Sequence, residues 1–306
     1  MKADQRPGTG NYAGVTGVLV LNKPSGITSR KLVDQVARLA SRSKVGHAGT
    51  LDPLATGILI VCIGSATRLV ENLQDLPKTY RTLVRLGARS DTLDADGQIE
   101  IEQSPRIPSL LDIERALQPL TGEVDQRPPA YSALKIQGRR AYDLARAGRA
   151  LELAPRRVRI DRIDVLHYDW PSLELEIDCG GGTYVRSIAR DVGESLGCGG
   201  FVQTLVRTRT GPFTLADAIE PALLSPESIH HYLRPAIDAV AGVPKLIIDA
   251  GQVEAVAQGR RLCTQDLGAV PFADGQVALV DREGILIAMA EFDTAQGWIQ
   301  PRKVLV

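Results

Sequence analysis

The sequence predicts an α+β fold: a mixed sheet flanked by helices, with a small β-rich unit at its C-terminal end. Three observations carry that expectation. Leu173, Leu175 and Ile177 alternate with Glu174, Glu176 and Asp178, the period of a strand with one face in the core and one in water. Residues 58–63 are apolar without a break, which suits a strand buried on both faces. Helical and strand patterns follow one another without the regular alternation of a doubly wound sheet.

In chain order, residues 1–15 are polar and glycine-rich, lack the apolar stretch of a signal peptide, and read as a disordered lead-in. Residues 18–21 form a short apolar strand running into the turn-rich Asn22-Lys23-Pro24-Ser25-Gly26. Ser29 is placed to cap a helix in which Leu32, Val33, Val36, Leu39 and Ala40 keep the 3.6-residue period. Residues 45–57 read as a loop dense in small residues, residues 79–86 as a strand, and residues 90–97 as a turn with several acidic groups. The alternating strand leads through Gly180, Gly181 and Gly182 into a helix carrying Val185, Ile188, Ala189, Val192 and Leu196 on one face. Gly197 is placed to end it. The pattern changes around residues 235–244. A short helix ending at Gly259 and strand-like runs at 277–280, 285–289 and 303–306 then give a β-rich unit of about 60 residues, small enough to lean on the larger one.

Composition narrows the function classes. No run of about 18 apolar residues exists, so no membrane span is expected and the protein is placed in the cytoplasm. Cys62, Cys179, Cys198 and Cys263 are scattered and form no CxxC pair, a spacing that suits reduced, mostly buried thiols better than zinc or disulfides. His167, His230 and His231 show no metal-ligand spacing. The 36 basic and 36 acidic residues balance, yet residues 127–159 hold nine cations against only Asp143 and Glu152. Such a stretch can neutralise phosphates locally or can be a solvated surface.

The segment Val45-Gly-His-Ala-Gly-Thr-Leu-Asp-Pro-Leu-Ala-Thr-Gly57 sets the carboxylate of Asp52 in a loop of small residues, directly before a proline that stiffens its backbone. Taken alone, it could be an Asx-type turn. It does not stand alone. Leu21-Asn-Lys-Pro-Ser-Gly26, Lys78-Thr-Tyr80 with Gly87-Ala-Arg-Ser-Asp-Thr-Leu-Asp94, Arg127-Pro-Pro-Ala-Tyr-Ser-Ala-Leu-Lys135, Gly182-Thr-Tyr-Val-Arg-Ser-Ile188 and Leu196-Gly-Cys-Gly-Gly200 accompany it. Together these stretches resemble, in order, the motifs of the TruB-type tRNA pseudouridine synthases. Residues 277–288, Gly297 and Pro301-Arg-Lys-Val-Leu305 resemble a PUA-like RNA-binding module.

The resemblance implies isomerisation of uridine 55 in the T-arm of tRNA, on the pseudouridine synthase fold. It implies a lead-in over 1–15, a catalytic domain over 16–242 with an RNA-binding insertion over about 127–157, and a PUA-like domain over 243–306. Asp52 matches the family's catalytic aspartate, Tyr80 the tyrosine packed on the target base, and Arg186 the arginine paired with the aspartate. Leu205 matches an aliphatic pocket residue, and His47 a histidine that helps hold the flipped-out loop. Lys23 and Pro24 match a pair supporting the site's floor. Lys135, Arg139, Arg140 and Arg146 are the expected RNA contacts. No cofactor, metal or protein partner is expected. The chemistry suits this set. The base is retained and no water needs activating, so one carboxylate suffices where glycoside hydrolases use two. Two rival readings stand beside it: a guide-RNA-dependent relative, and a tRNA-folding helper whose catalysis is secondary.

Overall fold

The computed structural model describes residues 16–40, 43–132, 135–136, 139–140, 153–267 and 274–306. The lead-in and Arg146 lie outside them. The first strand is β1 (Gly17–Lys23), followed by helix α1 (Ser29–Leu39), β2 (Val45–Ala48) and β3 (Thr56–Ile63). The first part of the stretch expected as loop is therefore strand, because β2 pairs with the C-terminal half of β3. The cap of α1 is Thr28, whose side chain accepts from the Lys31 amide; Ser29, expected in that role, is turned inward.

Helix α2 (Val70–Asp75), β4 (Lys78–Leu86), the hairpin β5 (Ala88–Ser90) and β6 (Ile99–Ile101), α3 (Leu110–Leu117) and β7 (Gly122–Gln126) follow. Next come the short pair β8 (Lys135–Ile136) and β9 (Arg139–Arg140), then β10 (Arg156–Asp169), β11 (Ser172–Cys179), α4 (Val185–Ser195), β12 (Gly200–Thr210) and β13 (Phe213–Thr214). The central mixed sheet runs β1-β3-β12-β4-β11-β10-β7, with β2 and β13 attached to β3 and β12. Among the described residues, the only parallel ladder between its strands is the short contact of β12 with β3, at Val206 to Thr56 and Arg207 to Gly57.

β10 starts inside the stretch expected as insertion. Arg156 pairs with Gln126 and Arg157 with Asp125 in the β7 ladder. Arg157 lies 3.5 Å from Glu123 and 3.7 Å from Asp125, carboxylates just upstream of the basic run. Part of that run is thus sheet surface with its own counter-charges.

Beyond a helical turn, α5 (Ile229–Tyr232), the chain builds a second sheet. Its strands are β14 (Lys245–Ile247), β15 (Leu262–Cys263), β16 (Gly275–Val280), β17 (Leu286–Asp293) and β18 (Trp298–Val304), in the order β14-β16-β17-β18-β15, with α6 (Ala250–Ala257) packed on it.

The uninterrupted apolar character of β3 follows from this layering. Leu59, Val61 and Ile63 face the core shared with α1 and α4. Ile58, Ile60 and Cys62 face a second core that includes Ala278, Val280, Leu286, Met289 and Leu305 of the C-terminal sheet. Period-2 alternation needs a wet face, and β3 has none. β11 has one: Leu173, Leu175, Ile177 and Cys179 are buried, while Glu176 and Asp178 meet Arg81 and Arg162 at 2.9–3.1 Å on the surface. The small sheet is also tied by Lys303, which donates to Glu71 and Asn72 of α2. Cys62, Cys179 and Cys198 are buried thiols and Cys263 is an exposed one.

Candidate active site

Asp52 sits on the connection between β2 and β3. The loop is held from below by the β1–α1 connection. Ser29 Oγ accepts from the Leu51 amide at 2.9 Å and donates to the Leu51 carbonyl at 3.0 Å. Lys23 Nζ is buried and donates to the carbonyls of Pro53 at 3.2 Å, Ala55 at 2.7 Å and Pro24 at 2.9 Å. The Gly26 amide donates to Pro53 O at 2.8 Å. These bonds fix the backbone on both sides of Asp52. Pro24 itself is exposed and takes part through its carbonyl. Burial lowers the Lys23 ammonium to a pKa of about 8, against the attraction of Asp52.

Arg186, on the first turn of α4, reaches this loop across the core. Its Nη2 donates to Asp52 Oδ1 at 3.0 Å. Nε lies 2.9 Å from Oδ2 as a charge contact without hydrogen-bond alignment. Nη1 donates to Asp94 Oδ2 at 3.1 Å and Thr92 O at 2.9 Å, and Nη2 also to Tyr131 O at 2.9 Å. One guanidinium therefore joins two carboxylates. Asp94 is buried, held by Thr92 Oγ1 at 2.6 Å, in a turn where Leu93 takes a φ of +62°. That conformation is uncommon for a non-glycine residue, and it lets the 90–97 turn aim both Thr92 O and Asp94 at Arg186.

The Asp52 side chain keeps 30 % of its surface exposed, at the mouth of a recess of about 280 Å³. Tyr80, Leu205, Arg186, Tyr184, Lys78 and Arg207 share its lining. Among the described residues of that lining, Asp52 is the only carboxylate. Burial pushes its carboxyl above the ordinary range, and the pull of Arg186 only partly offsets this. Attraction by Arg186 is thus the smaller influence. The acid limb of the pH–rate profile is accordingly expected above pH ~4, the ordinary aspartate value. A limb at or below that value in the free protein would contradict this electrostatic picture.

Of the residues singled out from sequence, Asp52, Tyr80, Arg186 and Leu205 line the recess, and Lys23 and Pro24 hold its loop from beneath. His47 stands on β2 beside Val61 of β3 and is not among the lining residues. Lys135, Arg139 and Arg140 lie on the β8–β9 pair. Arg146 is outside the described residues. The sequence reading gave no role to Asp94, Tyr184, Lys78 or Arg207. Lys78, Asp94 and Tyr184 lay inside quoted motifs, which was the available signal; Arg207 did not.

Gly57 is a further constraint. Its φ is +95°, and a Cβ there would stand 2.3 Å from the Arg207 carbonyl. Gly57→Ala is expected to cost roughly 2–5 kcal/mol in denaturant unfolding, from left-handed strain plus overpacking. A loss below about 0.5 kcal/mol, the range of neutral surface changes, would show that the two strands can part freely.

Known proteins match this chain over most of its length. The family model of the TruB pseudouridylate synthase N-terminal domain matches residues 37–185, and that of the tRNA pseudouridylate synthase B C-terminal domain matches residues 186–239. A tRNA pseudouridine synthase B of Aromatoleum aromaticum is 40% identical over 294 residues, covering 95% of this chain and 93% of that protein. One of Chromohalobacter salexigens is 41% identical over 297 residues, covering 95% and 94%. Among solved structures, a Cbf5-Nop10-Gar1 complex contains a chain that superposes with a TM-score of 0.74 at 26% identity, covering 95% of this chain and 85% of that one.

Proposed function

The chain belongs to the TruB family of pseudouridylate synthases, and from that membership we propose that it isomerises uridine 55 in the T-arm of tRNA, with Asp52 as the catalytic carboxylate. The observation that carries the reading is a recess with a single lining carboxylate, fixed by Arg186 and walled by Tyr80 and Leu205. A glycosidic bond must break without water being activated, and one carboxylate acting as nucleophile or base serves that purpose. A uridine stacked in an RNA loop is out of reach, so the target base flips into the recess. Tyr80 offers a ring face to it and Leu205 an apolar wall, so uracil is retained while it turns. His47, beside the loop, helps hold the displaced nucleotides.

Higher identity to a tRNA pseudouridine synthase B, 40%, than to the matched chain of the Cbf5-Nop10-Gar1 complex, 26%, supports activity without a guide RNA. Bare tRNA transcript with the purified protein alone should therefore be modified. A strict need for added RNA would overturn this reading in favour of a guide-dependent one.

RNA attraction in a chain of balanced charge has to be local. Lys135, Arg139, Arg140 and Arg146 grip the T-arm backbone, and the C-terminal sheet, as a PUA-like module, contacts the far end of the tRNA. Each phosphate contact contributes a slope of about −0.7 to −0.9 in log affinity against log salt. The triple variant Arg139→Ala, Arg140→Ala, Arg146→Ala is expected to flatten the measured slope by roughly one to three units, with turnover at saturating tRNA changed less. An unchanged slope in the folded variant would assign these arginines to a solvated face.

A further inference from the structure

Among the described residues, Arg207 is the largest fully buried side chain. Nε donates to Ile58 O at 2.7 Å and Nη2 to Gly49 O at 3.1 Å. Among the described residues no carboxylate forms an ion pair with it. A guanidinium satisfied only by neutral partners is costly to bury, and apolar replacements of buried charges are often neutral or stabilising. Stability alone therefore does not account for it.

Its surroundings point to the reaction. Arg207 lines the same recess as Asp52. It is the cross-strand partner of Tyr80 in the β12–β4 ladder, so both side chains lie on one face. Burial raises the Tyr80 phenol above its ordinary range, and the charge of Arg207 beside it works against that rise. Lys23 and Lys78 are lowered to a pKa of about 8, chiefly by burial and in part by the charge of Arg207. Two glycines make room for it: Gly57, at Arg207 O, and Gly49, where a Cβ would stand 3.3 Å from Nη1. The floor of the recess is thus built around a positive charge that Arg186, committed to Asp52 and Asp94, does not supply.

We infer that Arg207 is a positioning residue for the base-handling step: it holds the Tyr80 hydroxyl under the uracil and provides the buried charge against which uracil departs as an anion. The inference rests on the proposed isomerase reading. When the C1′–N1 bond breaks, its electron pair leaves with the uracil and spreads over the ring nitrogens and the O2 and O4 oxygens. The ring turns, the C5 carbon bonds to C1′, and the C5 proton is removed, its electron pair restoring the ring while N1 takes up a proton, so that the net change is one hydrogen moved from C5 to N1. No atom is lost and no redox partner is needed. Preorganised donors aimed at a developing charge act most strongly in a site like this, shielded from water.

The test compares Arg207→Lys and Arg207→Gln, each alone and in a Tyr80→Phe background. The readouts are single-turnover pseudouridine formation, tRNA affinity and thermal melting. Arg207→Gln is expected to slow the single-turnover rate by about 30-fold or more with tRNA affinity within about threefold. Arg207→Lys should recover at least about tenfold of that loss. In the Tyr80→Phe background the Arg207 substitutions should change the rate less than about threefold, because the coupling is gone. Wild-type rates in folded Arg207→Gln, or equal losses with and without the Tyr80 hydroxyl, would make Arg207 a strut between strands and overturn the inference. If Arg207→Gln melts below the assay temperature, Arg207→Lys against wild type in the two backgrounds decides by the same coupling. If Tyr80→Phe alone ends turnover, equal rates for the Lys and Gln variants overturn the inference and the graded pair supports it. A wild-type protein that forms no pseudouridine would instead defeat the isomerase reading itself.

Discussion

Asp52→Asn should abolish pseudouridine formation, by about 10³-fold or more in single turnover, while tRNA affinity stays within about threefold. The amide keeps the shape of the carboxylate but cannot act as nucleophile or base. Affinity is spread over many phosphate contacts, whereas the chemistry depends on one oxygen. Stability should move in the other direction. The Asp52 pKa is raised in the folded protein, so the fold binds its proton more tightly than the unfolded chain does. Asp52 therefore favours folding below the ordinary carboxylate range, and that contribution falls away as pH rises through the raised value. At neutral pH its charge is a cost. The variant should melt at or above the wild-type temperature, because Arg186 retains Asp94, Thr92 O and Tyr131 O. Substantial turnover by the variant would remove Asp52 from the chemistry, and a large fall in melting temperature would show that its charge is structural.

Arg186→Lys carries the second-largest expected effect. The guanidinium reaches Asp52 at 2.9–3.0 Å and Asp94 at 3.1 Å from different nitrogens of one plane. An ammonium is a single point and cannot serve both carboxylates in this geometry. Whichever it abandons is left with an uncompensated charge, and for the buried Asp94 that costs about 3–5 kcal/mol. Turnover should fall about 10²–10³-fold, with a much smaller change in tRNA affinity. A variant with wild-type turnover and wild-type melting would show the two-carboxylate arrangement to be incidental.

The parts of the fold written in local pattern could be read from the sequence. The alternation of residues 173–177 places a half-wet strand, and the unbroken run at 58–63 places one covered on both sides. The parts set by distant pairing could not. Asp94 is one of three acidic residues in a short turn, and nothing local distinguishes it from Asp91 or Asp96. Its role follows from Arg186, 92 residues away. Arg207 stands two positions from Arg209, an apparent surface alternation. Yet Arg209 is half-exposed and Arg207 is buried: the β12–β4 register shifts between them, and the Arg207 guanidinium turns inward to the Ile58 and Gly49 carbonyls. Arg156 and Arg157 looked like the end of a basic insertion, since their partners on β7 come earlier in the chain than the stretch in which they were counted. At the helix start, Thr28 and Ser29 are both of cap-forming type, with serine the slightly better one. The choice falls to Thr28 because Ser29 holds the Asp52 loop.

The central claim, that Asp52 drives uridine isomerisation in the T-arm, is tested most directly by position-resolved mapping of pseudouridine. A tRNA transcript is incubated with wild-type protein and, separately, with the folded Asp52→Asn variant. The account predicts one modified position, uridine 55, with the wild-type protein, and none with the variant at equal tRNA occupancy. Modification by both proteins, or by neither, would contradict it.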